Sequence, residues 1–381
     1  MMKIGIVCYP TYGGSGVVAT ELGLGLARKG HEVHFITYRR PVRLAHFLPN
    51  VFYHEVDGED YPLFEYPPYD TALASKIVDV VQYQNLDILH VHYAIPHATV
   101  AYTAKKILLT KGRYIPVITT LHGTDITLVG NNRAFAPVVE FSINKSDGVT
   151  AVSQALKTDT LNLFEIERDI RVIYNFIDFE RFKKTNKAHF KKIIAPDGER
   201  ILAHTSNFRK VKRIEDAIRI FKRVHEAVPS KLLMIGDGPE RQNAEQLCRE
   251  LHLCDHVRFL GKQDPIEELL AICDLFLMPS ESESFGLAAL EAMACEVPVI
   301  SSNGGGLPEV NLHGVTGFLS DPGKVDEMAS YAIQLLENEQ MLLQFRENAL
   351  QQAQRFALDQ ILPDYERYYE EILRSSHQKV D

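Results

Sequence analysis

The chain has 381 residues, too many for one typical hydrophobic core, and its length alone points to about two domains. With 45% hydrophobic and 24% charged residues it has the make-up of a globular protein in water. A formal net charge of −9 argues against broad nucleic-acid binding, which needs a basic surface, but leaves room for a local basic pocket. The cysteines Cys8, Cys248, Cys254, Cys273 and Cys295 are scattered without a Cys-x-x-Cys pair and read as free thiols of a reducing compartment. The first apolar run stops at Pro10, too soon for a signal peptide. No stretch approaches the ~20 apolar residues of a membrane span. A cytoplasmic protein without stable membrane insertion is expected.

Lys3–Cys8 reads as a strand, Gly16–Lys29 as a helix ended by Gly30, and His31–Thr37 as the next strand. Leu86–His92, Pro116–Leu121, Gly148–Val152 and Ile170–Tyr174 follow as strands, mostly with helical patterns between them. The lysine-rich segment Phe182–Arg200 breaks this rhythm, so a domain junction is placed near Asn175–Phe182. The rhythm then restarts. Ile201–Thr205, Lys231–Ile235, Val257–Leu260, Leu275–Met278 and Val297–Ser301 read as strands, and Ile214–Val228, Glu240–Leu251 and Leu287–Cys295 as helices. From about Glu327 the tail is helical.

Alternation of this kind gives parallel sheets covered on both faces. The expected fold class is α/β, with two Rossmann-like domains: residues 1–175, and residues 176–381, the last helix (about 358–375) being a candidate to pack back on the first domain. Open parallel sheets bind ligands at their strand C-terminal ends, so a ligand cleft between the domains is expected.

Two stretches carry chemistry. Thr11-Tyr12-Gly13-Gly14-Ser15-Gly16 joins the first strand to the first helix, where glycines and free amides suit an anion. Gly14-x-Gly16-x-x-Ala19 also fits a dinucleotide pattern, but Pro10-Thr11-Tyr12 delays it and Tyr38-Arg39-Arg40 stands where an acidic residue is needed. A plain tight turn is the blander alternative. The second stretch runs from Pro279 through Glu283-Ser284-Phe285-Gly286-Leu287 to Glu291. Amides at a helix start can hold a diphosphate, and Gly286 lets it approach. Glu283 can reach hydroxyls of an attached sugar, and Glu291 a ribose diol, because charge-assisted hydrogen bonds are strong and directional. The alternative is a helix-cap region with an exposed glutamate.

Glu283-x7-Glu291 around Ser284-Phe285-Gly286-Leu287 resembles the signature of the retaining glycosyltransferases of the GT-B fold, family four. The likeness extends in order through Gly13-Gly14, Gly30-His31-Glu32-Val33, His122-Gly123-Thr124-Asp125, Gly236-Asp237-Gly238-Pro239, Val297-Pro298-Val299-Ile300, Gly304–Glu309 and Gly314-x-x-Gly317-Phe318. The runs 13–23, 90–98 and 119–125 further resemble one subgroup of that family. Its members place N-acetylglucosamine from UDP-N-acetylglucosamine on L-malate at the start of bacillithiol biosynthesis.

The resemblance implies a donor site of Gly14, Ser206, Asn207, Lys262, Gln263, Ser284, Phe285, Gly286, Leu287 and Glu291, with Lys262 and Gln263 beside the uracil. It implies catalytic roles for Glu283, for His122 against the donor sugar, and for a cation pair on the diphosphate. Lys212 matches the family's lysine. Asn207 stands where the family has arginine, and Arg209, two residues on, is the expected substitute. A solvated charge run is the alternative for that segment. His90 and His92 alternate along a strand and read as structural. Ser15, Tyr93 and Thr119 are candidate acceptor contacts at predicted strand ends. No Asp-x-Asp or cysteine pair points to a metal, and no cofactor is expected beyond the substrates. Small molecules are the expected partners, and homo-oligomerisation stays open. A glycosyltransferase of the same fold with another small acceptor, a UDP-sugar epimerase, a nicotinamide oxidoreductase and a catalytically silent sugar-nucleotide sensor are the competing functions.

Overall fold

The computed structural model describes residues 1–11, 13–44, 47–57, 68–130, 132–185 and 187–377. The chain forms two compact units, Met1–Asn175 with Leu358–Asp381, and Phe176–Ala357. The first unit runs β1 (Lys3–Val7), α1 (Gly14–Arg28), β2 (Glu32–Thr37), β3 (Val51–Glu55), α2 (Tyr69–Gln84), β4 (Ile88–His92), α3 (Thr99–Thr110), β5 (Val117–Leu121), α4 (Ala136–Lys145), β6 (Gly148–Ala151), α5 (Gln154–Leu163) and β7 (Ile170–Val172). The second runs α6 (Ala188–Ile194), β8 (Arg200–Ser206), α7 (Ile214–Ala227), β9 (Ser230–Gly236), α8 (Arg241–Glu250), β10 (Val257–Gly261), α9 (Glu267–Leu270), β11 (Leu275–Met278), α10 (Leu287–Ala294), β12 (Val299–Ser302), α11 (Leu307–Val310), β13 (Gly317–Ser320), α12 (Val325–Glu337) and α13 (Glu339–Gln354). The last helix, α14 (Leu358–His377), belongs to the first unit.

Both sheets are parallel throughout, in the orders β3-β2-β1-β4-β5-β6-β7 and β10-β9-β8-β11-β12-β13. Each order reverses once, at β1/β4 and at β8/β11. Loops leaving the C-terminal ends of those strand pairs diverge to opposite faces and leave a crevice. The sequence explains the layers. β9 is apolar from Leu232 to Ile235, as a strand covered on both faces must be. α7 buries Ile214, Ala217, Ile218, Phe221 and Val224, a stripe at helical spacing, against that sheet.

Several elements differ from expectation. α1 begins at Gly14, two residues early, because Gly13 takes an extended backbone and its carbonyl accepts from Gly16 and Val17. β3 was not expected. It is an edge strand with a mixed burial pattern, so its sequence lacks a clean apolar run. The lysine-rich segment contains α6, the four-residue β13 precedes the tail, and the tail is three helices.

α14 is held to the first unit by aromatic and polar contacts. Tyr365 and Tyr369 are fully buried and Tyr368 nearly so. The Tyr369 hydroxyl lies 2.6 Å from His90 Nδ1, the Tyr368 hydroxyl accepts the Val149 amide at 2.8 Å, and Glu366 meets His31 at 2.9 Å. Gly25 of α1 leaves room for Leu358 and Leu362, which sit 3.2–3.4 Å from where a Cβ would stand. Tyr369→Phe strands a buried ring nitrogen and is expected to cost about 1–3 kcal/mol. Tyr369→Ala adds a cavity and should cost about 3–5 kcal/mol. Urea unfolding monitored on the first unit measures both.

Candidate functional site

In the second unit the loops after β8 and β11 flank the point of strand reversal. They carry Lys212 and Glu283. Lys212 Nζ donates to both carboxylate oxygens of Glu283 at 2.7 Å, and the Ser280 hydroxyl donates to Oε1 at 2.7 Å. The side chains are only 19% and 10% exposed, so each charge is held by its partner rather than by water. Beside them the Glu281 amide donates to the Val211 carbonyl at 2.7 Å, and Arg213 binds both Asp216 and Glu281. The two loops are thus fastened at three neighbouring places.

The Glu283 loop rests on Gly304-Gly305-Gly306. A Cβ on these residues would fall 2.3 Å from the Glu281 carbonyl oxygen, 2.1 Å from that of Glu283 and 2.6 Å from that of Ser284. The Gly306 amide donates to the Glu283 carbonyl at 2.7 Å. These glycines therefore have a packing role: they let two backbones lie against each other and so set the height of Glu283. Gly286, at φ +101°, turns the chain into α10 with no side-chain cap, which leaves the first amides of that helix without a side-chain partner at its cap. Glu291 is buried on α10. Phe285 is 1% exposed and packs on Phe356, so its side chain anchors the loop and only its backbone can meet a ligand.

The remaining expected donor residues sit at the ends of the same sheet. Ser206 closes β8. Its hydroxyl lies 2.9 Å from His204 Nε2 and accepts the Phe208 amide, while His204 Nδ1 donates to the Leu277 carbonyl. Burial lowers the His204 pKa to about 4, which keeps the ring neutral. Asn207 is exposed, as are Lys262 and Gln263 after β10, while Ser284 is half-buried. Arg209 is exposed and has no ion-pair partner among the described residues, whereas Lys212 is paired with Glu283.

In the first unit Gly14 is exposed and Ser15 half-buried at the start of α1, and Gly16 fits where a Cβ would lie 2.3 Å from the Tyr9 carbonyl oxygen. Tyr12 lies outside the described residues. His122 follows β5, with Nε2 2.8 Å from His92 Nδ1 and its ring 5.3 Å from that of Tyr93. Tyr93 is half-buried in a left-handed backbone conformation at φ +87°. Thr119 is a correction: it is fully buried and its hydroxyl is bonded to Ser146 at 2.7 Å, so it presents nothing to an acceptor. Its strand position placed it one alternation below the end.

Sequence reasoning also missed partners. Ser280 grips Glu283 from three residues upstream. Asp125 accepts the amides of Ala94, His122 and Gly123 and so fixes the turns after β4 and β5, with burial raising its pKa to about 6. His92 and His97 crowd around His122; the His-x-His at 90–92 was the visible signal. Among the described residues no group of three or more His, Cys, Asp or Glu is placed to hold a metal ion, and no helix is long and apolar enough to cross a membrane.

Burial lowers the pKa of His90 and His122 to about 3, that of His97 to about 4 and that of His92 well below its ordinary value. The unfolded chain takes up these protons below about pH 6.5 while the folded chain refuses them until about pH 4 or lower. Stability therefore falls as the pH drops through that window, by about 1.4 kcal/mol per pH unit for each histidine. Asp125 opposes this as one group against four, since its raised pKa favours the folded state as it gains its proton. Denaturant midpoints measured between pH 7 and 4.5 should fall steeply.

The sequence matches the family profile described as Glycosyltransferase Family 4 over residues 12–181 and that described as Glycosyl transferases group 1 over residues 185–352. It is 49% identical to the N-acetyl-alpha-D-glucosaminyl L-malate synthase of Bacillus anthracis, over 98% of each chain. It is 30% identical to an uncharacterised glycosyltransferase of Methanocaldococcus jannaschii, over 86% of this chain and 87% of that one. Among solved structures, the sucrose-phosphate synthase of Thermosynechococcus elongatus superposes with a TM-score of 0.83 at 20% identity, over 98% of this chain and 100% of the other. Anabaena HepE in complex with UDP and glucose superposes with a TM-score of 0.81 at 23% identity, over 97% and 100%. These two matches share the fold: two parallel-sheet α/β units of the GT-B type. The chain belongs to the family 4 glycosyltransferases.

Proposed function

We propose that the protein transfers N-acetylglucosamine from UDP-N-acetylglucosamine to the hydroxyl of L-malate with retention at the anomeric carbon, the first step of bacillithiol biosynthesis, in the cytoplasm and without a metal or other cofactor. The observation that carries this reading is the 49% identity, end to end, with the Bacillus anthracis malate synthase. In this reading the second unit binds the nucleotide. The first amides of α10 and the cations Lys212 and Arg209 receive the diphosphate, Glu283 and Ser284 the sugar, Glu291 the ribose, and the loop carrying Lys262 and Gln263 the base. Ser206 and Asn207 line the end of β8 beside it. From the first unit, Gly14 approaches the donor, Ser15 and Tyr93 the acceptor, and His122 a substrate hydroxyl.

The reaction breaks the bond from the anomeric carbon to the β-phosphate oxygen as the malate hydroxyl oxygen bonds to that carbon from the same face. The leaving β-phosphate takes the malate hydroxyl proton, so the products are UDP and the glycoside and no protein base is consumed. Lys212 is held at 2.7 Å from Glu283 before any substrate arrives, so its charge needs little reorientation when the leaving phosphate gathers negative charge. Glu283 supports the sugar while that lysine meets the phosphate.

The reading is tested by incubating the protein with UDP-N-acetylglucosamine and a panel of hydroxy acids and polyols, measuring UDP release and product mass. A glycoside of malate with retained configuration is the expected product. UDP release with no acceptor dependence, or a product with another acceptor only, refutes the malate assignment. Glu283→Ala is expected to lower kcat about a hundredfold or more with UDP affinity still measurable in calorimetry, as is typical for loss of one group that acts in the transition state. Lys212→Ala should lower kcat to a similar degree and weaken UDP binding as well, because it also removes a phosphate contact.

A further inference from the structure

The buried imidazoles beside His122 have no role in the chemistry above. His90, His92 and His97 are fully buried, while His122 keeps 8% of its surface, so the row reaches the outside through His122. The rings of His90 and His92 stack at 4.5 Å between centroids, and those of His92 and His122 at 5.1 Å. His90 and His92 share a face because they stand two apart on β4, and the turn after β5 brings His122 alongside.

The protons of this row can be assigned from the hydrogen bonds. The His92 main-chain carbonyl can only accept, so His97, whose Nδ1 lies 2.6 Å from it, carries its proton on Nδ1. His92 Nδ1 and His122 Nε2 are 2.8 Å apart, and one of them is the donor. The other nitrogen of His92, Nε2, is buried with no hydrogen-bond partner among the described residues. Orphaned N–H donors are the rarer defect in protein interiors, rarer than acceptors with a lone pair to spare. Nε2 is therefore the bare nitrogen, and the His92 proton sits on Nδ1 and donates to His122. A neutral His122 that accepts through Nε2 must carry its own proton on Nδ1, the nitrogen for which the described residues provide no partner. Burial holds all these rings neutral, in keeping with the lowered pKa values of His92 and His122.

We propose that His92 is a positioning residue that locks His122 in the Nδ1–H tautomer, so that His122 offers a hydrogen-bond donor to a substrate oxygen and cannot act as a general base there. The inference rests on the assignment of His122 to a substrate contact. Its consequence is chemical: a bare Nδ1 at that place could only accept a hydrogen bond, whereas an N–H donates one to a substrate oxygen and holds it in place.

Nitrogen-15 NMR of the wild-type protein labelled at histidine reads the tautomer without any substitution. His122 is expected as Nδ1–H, and finding Nε2–H overturns the proposal. His92→Phe keeps the ring volume without the donor, and His92→Asn places an amide near the former Nδ1. His92→Phe should release His122 to the Nε2–H form and lower kcat about 10-fold or more, as loss of a residue that orients an active group typically does. UDP affinity, which belongs to the second unit, should not change. His92→Asn should restore the tautomer and most of the rate. In a His122→Phe background, His92→Phe should add no further loss. An unchanged His122 tautomer in a folded His92→Phe protein, or equal losses in the two backgrounds, overturns the proposal. Full transfer by His122→Phe alone removes the substrate contact itself, and with it the catalytic consequence, while the NMR result still decides the coupling between the two rings.

Discussion

The ion pair between Lys212 and Glu283 is the constraint from which the second unit's site follows. The residues lie on loops leaving β8 and β11, the adjacent strands where the sheet order reverses. Neither charge has much water, at 19% and 10% exposure, so neither can stand there alone. Their mutual hold brings the loops together, and the bonds of Glu281 to Val211 and to Arg213 close the same seam. The demand spreads downward. A Glu283 at this height needs a floor without side chains, which Gly304, Gly305 and Gly306 provide, and a wall, which the buried Phe285 provides. One electrostatic contact thus dictates residue types over three separate segments of chain.

The first unit uses the same topology for a different electrostatic solution. At its point of reversal, the C-terminal ends of β1 and β4, no ion pair is found among the described residues. The groups near the strand ends are neutral imidazoles and Asp125, whose carboxylate is met by three main-chain amides. Neutral rings give direction without charge, because a hydrogen bond to a ring nitrogen fixes where its proton lies. A charged group among His90, His92, His97 and His122 would bear the full desolvation penalty, as their lowered pKa values express. The division suits the proposed reaction, in which charge develops on a leaving phosphate and the attacking group is a neutral hydroxyl.

Much of this was readable in the sequence, for a physical reason. Strands of a parallel sheet covered on both faces appear as short apolar runs, and the turns after them carry the polar residues, so Lys212, Glu283 and His122 stand out at strand ends. What escaped notice depends on distant parts of the chain. β3 is an edge strand whose pattern blends with loops. Thr119 looked available because a strand's direction is visible in sequence but the depth of its end is not; Ser146, 27 residues away, takes its hydroxyl. The packing role of the glycines at 304–306 shows only once the carbonyls of Glu281, Glu283 and Ser284 are placed against them. The partnership of His92 with His122 spans two strands, and alternation along one strand alone made His92 look like packing.

The energetics of the Lys212–Glu283 pair explain why it is a poor candidate for a purely structural feature. Withdrawing two charges from water costs several kcal/mol per ion, and their attraction returns that sum only when the geometry is good. Here it is good, with both carboxylate oxygens and the Ser280 hydroxyl engaged at 2.7 Å, so the pair roughly balances its own desolvation. A well-packed apolar pair in the same place would hold the loops at least as firmly. What an apolar pair cannot do is present a cation already desolvated and aimed, with a counter-ion that can turn from the ammonium to a sugar hydroxyl. In the proposed reaction a diphosphate arriving at the loop exchanges one anionic partner of Lys212 for another, and Glu283 keeps hydrogen-bond partners throughout. The desolvation cost is then carried by the fold beforehand rather than by the substrate at the moment of reaction, which is the condition under which a preorganised charge lowers a barrier.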